Sequence, residues 1–172
     1  KDLDVDVLRQ VMDINFWGTV YCTKFAMPEL LKSGGSVVGV SSIAGFKGLP
    51  GRTGYSASKF AMTGFLESLR VENLKTGVHV MLACPGFTAS NIRNVALNQA
   101  ATPQGESSMD EGKMMTAEEV AQLIANGVSQ RKRTLVMTGQ GKLTVFLQKI
   151  LPGLLDKLVY NHFTKEKDPL IK

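Results

Sequence analysis

An α/β layered fold built on a parallel sheet is predicted by three features of the chain. Three short apolar runs, at 36–41 (SVVGVS), 78–83 (VHVMLA) and 134–137 (TLVM), alternate with longer segments whose apolar residues recur at helical spacing. Gly35 and Gly77 precede the first two runs, and the Pro85-Gly86 breaker follows the second. Hydrophobic residues make up 44% of the 172 residues and charged ones 20%, enough for a packed core. Strands that alternate with helices are joined by right-handed crossovers and therefore run parallel.

Taken in order, Asp4 to Lys32 carries Val5, Leu8, Val11 and Met12 at helical spacing, and Gly34-Gly35 ends that helix. The first strand, 36–41, leads into a glycine-rich loop over 43–54. A second helix spans about 55–75, with Phe60, Ala61, Phe65, Leu66 and Leu69 on its apolar side and Gly77 closing it. The second strand follows. Residues 87–115, rich in Asn, Ser, Thr, Gln and Gly, read as a mobile segment. Thr116 with Glu119 three residues on is a capping box, which starts a helix running to about Ser129. After the third strand, 142–163 reads as an apolar helical stretch broken at Pro152-Gly153, with a basic tail to Lys172. Three strands make a narrow sheet, and a buried parallel strand wants neighbours on both edges. The chain also opens in mid-helix, so further strands are expected ahead of Lys1.

Composition excludes several function classes. The net charge is +5, and residues 131–172 hold nine basic against three acidic side chains. Arg131-Lys132-Arg133 abuts a strand, and Lys165, Lys167 and Lys172 form a polar tail. Neither is interleaved with stacking aromatics, so they read as solvated charge rather than a nucleic-acid face. Two cysteines cannot form a disulfide scaffold, and no Cys/His cluster has metal-ligand spacing. No apolar run reaches the eighteen residues that a spanning helix needs. A hydrolase elbow is absent too: in Gly39-Val40-Ser41-Ser42-Ile43, isoleucine stands where Gly-x-Ser-x-Gly requires its second glycine. Cys84 has no histidine placed to activate it and reads as a small buried residue.

In open α/β sheets the active crevice lies beyond the carboxyl ends of the strands. After the first strand come Ser41-Ser42, the glycine-rich loop and then Tyr55-Ser56-Ala57-Ser58-Lys59. Tyr55 and Lys59, at i and i+4, share a face of a helix's first turn. An ammonium beside a phenol favours phenolate and lowers a pKa from about 10 toward neutrality. Such a tyrosine suits a general acid for a carbonyl being reduced, or a base for an alcohol being oxidised. Ser42 is placed to hydrogen-bond the same oxygen. The other tyrosines lack a lysine partner: Phe25 stands four residues after Tyr21, and Thr164 four after Tyr160.

This combination resembles the short-chain dehydrogenase/reductase family, and its hydroxysteroid-dehydrogenase-like branch in the Ser-Ala-Ser insert and the following Phe60-Ala61. Ser42 precedes Tyr55 by 13 residues, Asn15 precedes Ser42 by 27, and Pro85-Gly86-Phe87 ends the next strand. The match is tight from Asn15 to about Ser90. It implies a Rossmann-like doubly wound parallel sheet, of which residues 1–172 are the C-terminal catalytic part. It also implies hydride exchange between a nicotinamide cofactor and a secondary alcohol or ketone. By the resemblance Tyr55 is the acid/base, and Lys59 depresses its pKa and binds the nicotinamide ribose. Ser42 orients the substrate oxygen. Asn15 anchors a water that links Lys59 to solvent. Pro85 and Gly86 line the nicotinamide pocket, and Ser90, where the family often has Thr, contacts the carboxamide. The cofactor implied is NAD or NADP, with NADP favoured, and the partners implied are copies of the chain in a homodimer or homotetramer.

One departure is plain. No Gly-x-x-x-Gly-x-Gly or Gly-x-Gly-x-x-Gly occurs in the 172 residues; Gly45, Gly48, Gly51 and Gly54 are at triplet spacing in the wrong loop. The phosphate loop, and the residue that selects NAD or NADP, are expected ahead of Lys1. The segment 87–115, with Phe87 and Met109, Met114 and Met115, is expected to be a substrate lid suited to a lipophilic ligand. Leu143 to Phe163, apolar at twelve of 21 positions, is expected to cap the substrate pocket, pack on another subunit or lie peripherally on a membrane. The location expected is cytoplasmic, with a peripheral membrane site as the alternative. A non-catalytic binding or structural relative is the rival reading. A mere scaffold has no physical need for Asn15, Ser42, Tyr55 and Lys59 together.

Overall fold

A computed structural model of the chain describes residues 4–89 and 114–164. Helix α1 (Val5–Met12) passes through a π-helical turn (Asp13–Trp17) into α2 (Gly18–Ser33). The expected single helix is thus present with one widened turn, at the residues that include Asn15. Gly34 closes α2 with a left-handed φ of 63°, which glycine adopts without steric cost. Strand β1 (Ser36–Val40) follows, then a 3₁₀ turn (Ile43–Gly45) inside the expected loop, and α3 (Thr53–Glu72). Strand β2 (His79–Cys84), α4 (Ala117–Ser129), β3 (Thr134–Val136), α5 (Gly139–Ile150) and α6 (Pro152–Phe163) complete the order. The capping box is formed: Thr116 Oγ1 accepts from the Glu119 amide at 3.1 Å, and Glu119 accepts from the Thr116 amide at 2.9 Å.

The three strands lie in the order β1-β2-β3, all parallel, with Val38 opposite Met81 and Ala83 opposite Leu135. β2 is central and buried along its whole length, which is why its sequence runs apolar without alternation. Among the described residues, β1 has a strand partner on one side only. Met62 and Leu66 from α3 pack on Val37, Val80 and Leu82 to form the core. That inward face differs from the expected one at Phe60, which is 45% exposed. The core stripe runs through Lys59, Met62 and Leu66 at three- and four-residue steps, with Ser58 beside it, and Phe60 falls to its flank.

Packing on the sheet's carboxyl side also ties down the C-terminal helices. Lys47, in the loop before α3, is buried and pairs with Asp156 of α6. A groove of about 580 Å³ lies between that loop, α3 and α6, lined by Leu49, Pro50, Phe60 and Val159 among others. Neither Tyr55 nor Ser42 lines it. Arg131–Arg133 are exposed at the head of β3, and the Arg131 guanidinium donates to the Gly77 carbonyl at 2.6 Å. The basic tail beyond Thr164 and most of the expected lid, residues 90–113, lie outside the described residues. Thr88 and Met115, near the two ends of that expected segment, form a parallel bridge.

Candidate active site

Two strand ends and the first turns of α3 converge at the carboxyl edge of the sheet. The Ser41 amide donates to the Ala83 carbonyl at 2.7 Å, which keeps the residues after β1 aligned with the end of β2. Ser42 then caps the 3₁₀ turn, its Oγ accepting from the Ala44 amide at 3.2 Å. An acceptor role leaves the hydroxyl hydrogen available for donation. The turn brings Gly45 against α3: the Thr63 hydroxyl donates to the Gly45 carbonyl at 3.3 Å. A methyl group at Gly45 would stand 3.0 Å from the Lys59 carbonyl and 2.9 Å from Thr63 Oγ1, so only glycine admits this approach.

Lys59 is buried, and its ammonium donates to the Val40 carbonyl at 3.0 Å, two residues before Ser42. The same ammonium stands 5.6 Å from the centroid of the Tyr55 ring, within the range of cation–π attraction. Burial pulls the Lys59 pKa below its usual value. Cys84 itself is fully buried, and burial pushes its pKa up to about 12, so it is a neutral thiol rather than a nucleophile.

Asn15 reaches the site from the π turn. Its Nδ2 donates to Ser58 Oγ at 3.1 Å, and Ser58 Oγ donates to the Tyr55 carbonyl at 2.8 Å. Asn15, which the family resemblance assigns a water for Lys59, has its amide on a protein acceptor in the turn that carries both Tyr55 and Lys59. Ser58 belongs to the Ser-Ala-Ser insert. Its i+3 position from Tyr55 is the signal that would have placed it on the same side of the helix. Pro85 and Gly86 follow directly on β2, half-buried, and Phe87 is exposed. Ser90 lies outside the described residues. Asn15, Ser58, Tyr55, Lys59 and the end of β1 are thus joined by hydrogen bonds or close approach.

A sequence model described as short chain dehydrogenase matches residues 1–101. The chain belongs to the short-chain dehydrogenase family. Among curated relatives, it is 31% identical over 169 residues to dehydrogenase/reductase SDR family member 7B of Mus musculus, covering 97% of this chain and 52% of that protein. It is 32% identical to a dehydrogenase/reductase SDR family protein 7-like of Dictyostelium discoideum, over 91% of this chain and 48% of that one. The chain therefore spans about half the length of the curated relatives it matches.

Solved structures agree on the fold. A short-chain dehydrogenase from Burkholderia cenocepacia in complex with NADP superposes with a TM-score of 0.76 at 20% identity, over 91% of this chain and 60% of that one. An acetoin dehydrogenase from Salmonella typhimurium gives 0.63 at 22% identity, over 82% and 58%. These likenesses establish the Rossmann-like sheet that the strand order shows.

Proposed function

We propose that this chain carries the catalytic part of an NAD(P)-dependent oxidoreductase that interconverts a secondary alcohol and a ketone. The observation that carries this reading is the fastening of Lys59, beside Tyr55, to the Val40 carbonyl at the mouth of the sheet. Such burial of a cation next to a phenol has no packing advantage, and it suits a site where negative charge develops on the phenol oxygen.

The residues present fit the nicotinamide end of a dinucleotide. Of the three ammonium donors on Lys59, one is used among the described residues, and two are left for ribose hydroxyls. Pro85, Gly86 and Ser90 would line the nicotinamide ring and its carboxamide. The pyrophosphate has no glycine-rich loop within these 172 residues, so its binding would fall to a segment outside them. NADP is favoured over NAD, because the Burkholderia cenocepacia protein and one from Sphingobium yanoikuyae were solved with NADP and NADPH. The cofactor would supply or accept the hydride.

The protein's part is position and proton movement. Tyr55 would hand its phenolic proton to a carbonyl oxygen as the carbon is reduced, and recover it when the alcohol is oxidised. Ser42, with its hydroxyl hydrogen unspent, would hold the same oxygen in line. Lys59 would stabilise the phenolate left behind. Asn15, through Ser58, would hold the turn that carries the tyrosine. Exposed Phe87 beyond the strand end would contact an apolar substrate.

Replacing Tyr55 with Phe in the full-length protein tests this reading. It removes the one proton donor and should lower kcat by about 10²–10⁴-fold, with the Kd for NADPH little changed. Turnover retained in Tyr55→Phe would reject the mechanism.

A further inference from the structure

Helices α5 and α6 carry an apolar face that their own packing does not use. Leu143, Phe146 and Ile150 on α5 fall at i, i+3 and i+7, and Leu151, Leu154 and Leu158, at the start of and along α6, repeat the same spacing. The first set makes one stripe along α5; on α6 Leu154 and Leu158 share a face, and Leu151 is the non-helical residue between the two helices. All six side chains are 47–58% exposed. The inward side is occupied by other residues: Gly141 on α5 and Leu155 on α6 are buried. These helices therefore already have a packed face, and the two stripes are a second, outward one. Outward apolar surface of this kind marks a site of interaction.

Charge indicates the occupant. Lys142, Lys149 and Lys157 each stand one residue before a stripe position, which places each at the flank of the stripe on its own helix. The sole carboxylate of the two helices, Asp156, is exposed but pairs with Lys47, which offsets its charge. The outer face is thus apolar and edged with cations, the pattern that buries leucine and phenylalanine among acyl chains while lysines meet anionic headgroups. Each helix has 12 residues, and among the described residues no helix is long and apolar enough to cross a membrane. Contact is therefore in the plane of the surface.

We propose that the α5–α6 face docks on the surface of an anionic lipid bilayer. Docking accounts for leucines that would otherwise face water on a segment beyond the family match at 1–101.

The test is flotation with vesicles of phosphatidylcholine alone and with phosphatidylserine added, at low and high salt. The protein should float with the phosphatidylserine vesicles, and less so in high salt. The triple variant Lys142→Gln/Lys149→Gln/Lys157→Gln should weaken that partition by about a hundredfold. The double variant Phe146→Glu/Leu154→Glu should abolish it, with its melting curve showing that the fold is retained. Absence of binding to either vesicle, or binding that neither variant changes, overturns the proposal. So does light scattering that shows vesicle-free self-association lost in Phe146→Glu, because that outcome assigns the face to a second copy. Tyr55→Phe measured alongside separates this question from catalysis, since it should float like the wild type.

Discussion

Cys84 stands one residue before Pro85, its thiol buried at the end of β2 with a pKa pushed up to about 12. Cys22 is exposed on α2. The thiolate is the reactive species, so the two should differ sharply toward a thiol reagent. Titration of the native chain at pH 8 should label one cysteine, and titration after denaturation two; two fast-reacting thiols in the native protein would show that the end of β2 is not closed. At this scale the sequence is informative wherever the chemistry is local. Tyr55 and Lys59 share a helix face by spacing alone, and Cys84 reads as buried because no partner is near it in the chain. Lys47 is the contrary case. Its burial depends on Asp156, 109 residues away, and nothing around either residue announces the pair. The same holds for Asn15, whose residue type and spacing suggested a role but whose acceptor, Ser58, is 43 residues on.

Among the elements, the close approach of the 3₁₀ turn to α3 has the clearest consequence. A β-carbon at position 45 would press on the Lys59 carbonyl and the Ser41 and Thr63 hydroxyls. The carbonyl is helix backbone and cannot move without shifting α3. Gly45→Ala should therefore destabilise the protein by about 1–3 kcal/mol. It should also lower turnover in the full-length protein, because Ser42 and Lys59 sit on the two elements forced apart. Denaturant unfolding with no change in midpoint would show that the turn has room. Helices and strands were legible through periodicity and breakers, since hydrophobic spacing decides which face is buried. The π turn is not, because such turns are rare and occur inside otherwise ordinary α-helices, with no breaker or cap residue to mark them. The inward face of α3 differs from the expected one at Phe60, because a helix this rich in apolar residues offers two stripes and only the sheet beneath selects one.

For the molecule as a whole, the parallel order β1-β2-β3 was legible from the alternation of elements, and the open side of β1 from the shortness of the sheet. A second exposed apolar surface runs along the first helices. Trp17, Tyr21 and Phe25 follow at four-residue steps, Trp17 and Tyr21 are stacked at 5.7 Å, and Phe25 is 76% exposed. We expect this face and the flank of α3 to pack against a second copy, as the oligomer implied by the family resemblance would require. Light scattering should then show a dimer or tetramer, reduced to monomer by Tyr21→Asp/Phe25→Asp. A wild-type protein that scatters as a monomer at micromolar concentration would rule the interface out.

The hydrogen-bond chain from Asn15 through Ser58 to the Tyr55 carbonyl spans 43 residues of sequence and begins in the π turn, a widened stretch of helix. None of the π turn's residues is buried, and a stretch with little burial opens before a tightly packed core does. On warming, the helix turn that bears the phenol loses its outer anchor while Leu66 and the central strand are still in place. Catalysis would then have a melting temperature of its own, below that of the fold, and activity would fade in a protein that calorimetry still finds native.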